Sequence, residues 1–171
     1  MIAPHHKARS LRQLGACCTI DGALGAGIAL LLGLLFACWL LPDGFINGTH
    51  AYWHAQNEDI TVYQAGFNAF FREAWHWPLW RIESLNWPQG TAATFVDILP
   101  LFAALLKLFA PQAWFPFNPF GVWVLACILL QALGAWWVLR EAQVRDWLAL
   151  IALVLLLVSF PTWLKRMGHI S

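Results

Sequence analysis

Polar stretches and long uncharged runs alternate along this chain. Residues 1–20 are polar and basic, with Lys7, Arg9 and Arg12. The run GALGAGIALLLGLLFACWLL, Gly22 to Leu41, follows without a charge. Twenty helical residues at 1.5 Å each reach about 30 Å, the thickness of a bilayer's hydrocarbon core. A secretory signal also begins with basic residues. Its apolar stretch is shorter, however, and Leu41-Pro42-Asp43 lacks the small residues of a cleavage site. The run is therefore read as a retained span, with the basic N-terminus in the cytoplasm. Gly22, Ala23, Ala26 and Gly27 offer small-xxx-small spacing for close helix packing.

Residues 42–95 form a loop that this orientation makes extracytoplasmic. Within it Ile60, Tyr63, Phe67, Phe70, Phe71 and Ala74 recur at helical spacing, with Thr61, Gln64, Asn68 and Arg72 on the other side. That pattern predicts an amphipathic helix lying at the membrane interface. Trp75, Trp77 and Trp80 follow as an interfacial cluster, and Pro88-Gln89-Gly90 marks a turn. Residues 96–110 are apolar but reach only about 22 Å. Asp97, Pro100 and Lys107 interrupt them. Such a run reads as interfacial or re-entrant. Two further spans are predicted, about 120–139 and 147–164, joined by the charged segment 140–146.

Two threadings fit this pattern. If 96–110 crosses, Arg140 and Arg145 lie outside and Lys165 and Arg166 inside. If it does not, these assignments reverse, and each solution leaves one basic pair on the unfavoured side. The predicted fold is all-α and polytopic. It has three transmembrane helices plus amphipathic or re-entrant interfacial helices in an extracytoplasmic loop, 42–119, forming a single membrane domain.

Composition supports the membrane reading. The chain is 60% hydrophobic and 11% charged, against about 45–50% and about 25% in soluble domains. Its mean hydropathy is +0.61. Twelve Trp fit a chain with extensive headgroup contact. A net charge of +1, without a large Lys/Arg cluster, argues against a nucleic-acid partner. Cys17, Cys18, Cys38 and Cys127 form neither a CxxC pair nor a disulfide framework and read as small hydrophobes.

Candidate chemistry begins with Glu58 and Asp59, two adjacent acids that head the amphipathic segment. Asp59 also stands where a helix N-cap is expected. Asp97, ahead of Pro100, reads as an N-cap. His50, His54 and Glu58 have i, i+4, i+8 spacing, which on one helix would give a shared face suited to a divalent cation. Solvated loop histidines are the plainer reading, and no metal ligands are assigned. Trp75, Trp77, Trp80 and Trp87 suit interfacial anchoring, with sugar stacking or a prenyl-chain groove as the alternative.

The order of these features carries a resemblance. A first span is followed by a loop with an acid pair, then Trp75-His-Trp-Pro78-Leu79 and Trp87-Pro-Gln-Gly90. Asp97-Ile-Leu-Pro100-Leu then runs into Lys107. Gly121-Val-Trp123, the Leu-Leu-Gln131 helix and Phe160-Pro…Lys165-Arg166-Met-Gly168-His169 complete it. This resembles the N-terminal third of GT-C-type polytopic membrane glycosyltransferases, in a bacterial branch. The resemblance implies sugar transfer from a polyprenyl-phosphate-linked donor to an extracytoplasmic acceptor at the bacterial inner membrane. It implies Asp59, with Glu58 second, as the catalytic acid pair, and Arg166, Lys165 and His169 as binders of the substrate phosphate. A divalent cation is left open as cofactor. It also implies the non-crossing placement of 96–110. The acids lie about 17 residues past the first span, further than the family pattern sets them. The family fold has many more spans, so the chain reads as a fragment, inactive alone, whose partners are membrane lipid, the lipid-linked donor and the rest of a polytopic chain. The alternative is a non-catalytic membrane scaffold or lipid-binding module.

Overall fold

The computed structural model describes residues 20, 22–54, 58–96, 98–110 and 118–165; Glu58 and Lys165 are described by backbone alone. The fold is mostly helical, as the hydropathy pattern predicts. Six α-helices are described: α1 (Ala23–Leu40), α2 (Glu58–Arg72), α3 (Pro100–Phe109), α4 (Phe120–Glu141), α5 (Trp147–Val158) and α6 (Pro161–Lys165). Two short strands, β1 (Arg81–Ile82) and β2 (Thr91–Ala92), pair antiparallel with Arg81 opposite Ala92 and Ile82 opposite Thr91. The turn read at Pro88-Gln89-Gly90 closes this hairpin, where the Gly90 amide donates to the Asn86 carbonyl at 3.0 Å.

Three helical stretches are long and apolar enough to cross a membrane: Ala23–Leu40, Phe120–Glu141 and Trp147–Leu164. They match the predicted spans closely. The third is not one unbroken helix. The helix α5 ends at Val158, and Pro161, which lacks an amide proton, starts α6. In contrast, α3 has ten residues. At 1.5 Å each these reach about 15 Å, too short to span. The segment 96–110 is thus shorter as a helix than its apolar run suggested, since Pro100 sets its first turn.

Packing divides the chain into two compact units. The first holds α1, α4 from Leu125 on, and α5. Its seam on α1 is Gly25, Ala29, Gly33 and Ala37, one small residue every fourth position. A Cβ built on Gly33 would stand 2.9 Å from the Ala132 Cβ on α4, so only glycine lets these backbones come so close. On α5 the buried row is Leu150, Val154 and Val158. The small-residue face expected at Gly22, Ala23, Ala26 and Gly27 is not the seam: Gly22, Ala23 and Gly27 are exposed. Two offset small-residue registers coexist in this stretch, and the one that continues through Gly33 and Ala37 makes the contact. The outward residues, such as Leu31, Leu35 and Trp39, are apolar and exposed, as a lipid-facing surface requires.

The second unit comprises 41–124 and, of the described C-terminal residues, 162–165. Its core is aromatic. Ile60, Tyr63, Phe67, Phe70 and Phe71 of α2 are all buried, so the predicted amphipathic face is turned into protein. Phe120, at the start of α4, lies with its ring 6.4 Å from Trp53, 6.0 Å from Tyr63 and 6.1 Å from Phe67. The Trp53 indole N–H donates to the Phe45 carbonyl at 2.7 Å, satisfying the polar atom of a ring only 2% exposed.

Candidate functional site

A cavity of about 370 Å³ opens inside the second unit. Ligand pockets commonly fall within about 300–1,000 Å³. Three pieces of chain build it. The loop 47–49 forms one wall, α2 supplies Gln64, Phe67 and Asn68, and the entry to α4 supplies Asn118, Pro119 and Phe120; His54 stands at the edge.

Each wall is held by local bonding. The Asn47 Oδ1 accepts from the Thr49 amide at 3.2 Å and from its hydroxyl at 2.8 Å, an Asx turn that fixes the loop. Gly48 has φ near +80°, and a Cβ there would meet the Asn118 Cβ at 2.5 Å. The position therefore needs glycine for both its conformation and its neighbour. The Gln64 Nε2 donates to the Trp53 carbonyl at 3.1 Å, leaving its oxygen as an acceptor. The Asn118 Oδ1 accepts from the Phe120 amide at 3.0 Å, an Asx turn around Pro119 that leads into α4. That bond fixes the amide's orientation, and the Asn118 Nδ2 is then buried without a partner. A buried unpaired donor costs about 1–3 kcal/mol, and with its nitrogen closed off Asn118 serves the wall of the cavity rather than a ligand.

The lining holds no Asp, Glu, Lys or Arg side chain among the described residues. Phe67 and Phe120 are each 1% exposed, so they form a floor rather than a stacking platform. What the cavity presents is a set of carboxamides that mixes donors with acceptors.

A family model matches residues 30–171. The chain belongs to that family, described as a domain of unknown function, DUF6311. The match takes in all three candidate spans except the first residues of α1, and the whole second unit. No curated protein and no solved structure matches the chain. The cavity described above therefore has to be read from its own chemistry.

The residues singled out from the sequence fall in different places. Asp59 is the second residue of α2 and half-buried. It does not cap the helix, which begins at Glu58; it sits in the first turn, where a carboxylate favours the helix dipole. On a 3.6-residue helix it points about 140–180° away from Gln64 and Asn68, and it does not line the cavity. The Glu58 and Lys165 side chains, and all of Arg166, His169 and Asp97, lie outside the described residues. The histidine face is not formed as drawn. His50 is outside any helix, residues 51–54 form a 3-10 turn, and the His50 Nδ1 already accepts from the Tyr52 amide at 3.1 Å. Among the described residues no group of three His, Cys, Asp or Glu is placed to hold a metal.

The charged group with the most organised surroundings is Glu73, which the sequence reading did not select. Its carboxylate accepts from the Glu83 amide at 3.0 Å, the Ser84 amide at 2.6 Å and His76 Nε2 at 3.2 Å. Burial alone would raise this carboxyl, but the hydrogen bonds from Ser84, Glu83 and His76 prevail and bring it down to about 2. Held so low, Glu73 is a poor proton acceptor; it closes the loop between α2 and the hairpin. Lys107, which interrupts an apolar run and ends the Asp97-Ile-Leu-Pro100-Leu motif, has a structural task. Its Nζ donates to the Phe70 carbonyl at 2.6 Å and lies 4.4 Å and 4.5 Å from the ring centroids of Phe70 and Trp75. It thereby fastens α3 to the C-terminal turn of α2, where a cation also complements the helix dipole. Burial lowers the Lys107 ammonium's pKa, against an opposing pull from Glu73.

The Trp set divides. Trp77 and Trp87 are about four-fifths exposed, at 83% and 79%, as interfacial anchors would be. Trp80 stacks on Phe70 at 6.1 Å, and Trp75 meets the same ring edge-on at 6.0 Å. Local pattern could not separate these roles, because the ring they share belongs to α2.

Proposed function

We propose that this chain is part of a membrane glycosyltransferase of GT-C type. On this reading it moves a sugar from a polyprenyl-phosphate-linked donor to an extracytoplasmic acceptor at the bacterial inner membrane. The observation that carries the reading is the uncharged, carboxamide-lined cavity in the non-spanning unit of a chain with three membrane-crossing stretches. A lipid-linked sugar needs both: a polar recess for the ring and a membrane for the prenyl chain.

Sugar transfer needs a carboxylate to take the acceptor's proton and cations to steady the departing phosphate. Asp59, with Glu58, fills the first role in this reading. Asp59 faces away from Gln64 and Asn68 and does not line the cavity, so on this reading the acceptor meets the carboxylate outside the recess that holds the ring. Lys165, Arg166 and His169 fill the second role. The test is donor consumption by the full-length protein in proteoliposomes. Asp59→Asn is expected to lower turnover at least about a hundredfold, within the range of a lost general base. Unchanged turnover removes Asp59 from the chemistry, and no turnover of any lipid-linked sugar by the wild type removes the reading.

One observation favours the non-catalytic alternative, a lipid-binding scaffold. Leu101, Leu105, Leu108 and Phe109 are 76%, 55%, 63% and 81% exposed on α3, an apolar row with no protein cover. That reading predicts loss of function from polar substitutions in this row and none from Asp59→Asn.

A further inference from the structure

We infer that the cavity selects an uncharged, polyhydroxylated ring: a neutral hexose or pentose, and not a uronic acid or a free phosphate. The inference rests on the glycosyltransferase reading for its biological setting, but its chemistry comes from the lining alone.

An anion site offers donors, and a cation site offers acceptors. This cavity offers both. Asn47 keeps its Nδ2 donor once its Oδ1 is bound to Thr49. Gln64 presents the Oε1 acceptor that remains once its nitrogen is bound to the Trp53 carbonyl. Asn68, beside them, carries one group of each kind. A sugar hydroxyl is itself both donor and acceptor, so vicinal hydroxyls match such a set with no charge left over. A carboxylate or phosphate would place its oxygens against the Gln64 oxygen, with no Lys or Arg in the lining among the described residues to offset its desolvation. Of the first turn of α4 only Phe120 lines the cavity, and its amide is already bound to the Asn118 Oδ1.

Asn68 is the specificity-determining residue to test, since no fold-holding bond among those described above uses its side chain. The full chain in nanodiscs would be titrated with methyl α-D-mannopyranoside, methyl α-D-glucopyranoside, glucuronate and glucose 1-phosphate, read by saturation-transfer NMR. Saturable binding of a neutral glycoside is expected, weakened about tenfold or more by Asn68→Ala, the loss of one good hydrogen bond, at unchanged melting temperature. Glucuronate or glucose 1-phosphate binding as tightly as the neutral glycosides would overturn the inference. So would the absence of neutral-glycoside binding, or binding that Asn68→Ala leaves intact. Turnover of a charged lipid-linked sugar, coupled with any of these results, would sink the inference and leave the enzymatic reading standing. Neutral-glycoside binding without turnover of any donor would do the reverse.

Discussion

Replacing Glu73 with Ala removes the acceptor for three donors at once. The Glu83 and Ser84 amides lie 3.0 and 2.6 Å from the carboxylate and His76 Nε2 lies 3.2 Å away. A hydrogen bond to a charged group contributes about 1.5–3 kcal/mol where water is excluded. Here the two amides lie at the surface. Water can replace the lost oxygen, and each bond moves toward the range of exposed ion pairs, about 0–1 kcal/mol. The expected cost is about 1–3 kcal/mol in all, and it should be local. The sensitive assay is amide hydrogen exchange in detergent: protection at Glu83 and Ser84 should fall about tenfold or more, the equivalent of about 1.4 kcal/mol, while the α1 seam keeps its rates. Acid adds an independent check. The folded carboxyl is held below its ordinary value, so its contribution is complete above about 4.5 and fades as pH falls toward about 2. Wild type should therefore lose protection at these amides over that window, and Glu73→Ala should show no such slope. Equal protection in the two proteins at neutral pH, or identical acid profiles, would refute the role given to Glu73.

Three further outcomes follow from named contacts. Lys107→Met keeps most of the stem but loses the bond to the Phe70 carbonyl and both ring contacts; proteolysis at the ends of α3 should quicken, with a cost of about 1–3 kcal/mol. Gly33→Val drives a side chain against Ala132 on α4; overpacking of this kind costs about 1–3 kcal/mol, read as a lower melting temperature in detergent. Gly48→Ala forces a Cβ onto Asn118 and a positive φ on a non-glycine residue; it should weaken neutral-glycoside binding more than it lowers melting temperature.

The sequence made the spans plain because a continuous apolar run about 20 residues long has few other homes. It made α2 plain because Ile60, Tyr63, Phe67, Phe70 and Phe71 keep a 3.6-residue period, and all five are buried. It did not show which face of α1 packs. A helix apolar all round carries no directional signal, so Gly22, Ala23, Ala26 and Gly27 looked as suitable as the Gly25, Ala29, Gly33 and Ala37 row that makes the seam. The cavity stayed hidden for another reason. Its walls come from 47–49, 64–68 and 118–120, and no local spacing links them. Phe120 and Trp53 meet across 67 positions and Lys107 reaches Phe70 across 37. Composition did suggest Trp at an interface, which fits the exposed Trp77 and Trp87 but misses Trp53, the bulkiest side chain of the core. Acids drew the eye to Asp59, whereas the polar groups gathered around space are amides, which carry no charge to notice.

A structure of the protein in nanodiscs with a polyprenyl-phosphate-linked neutral hexose tests the account most directly. The account predicts density for the ring against Asn47, Gln64 and Asn68, with a hydroxyl within hydrogen-bond distance of the Asn68 carboxamide. A sugar seated elsewhere, with that cavity filled only by solvent, would contradict it.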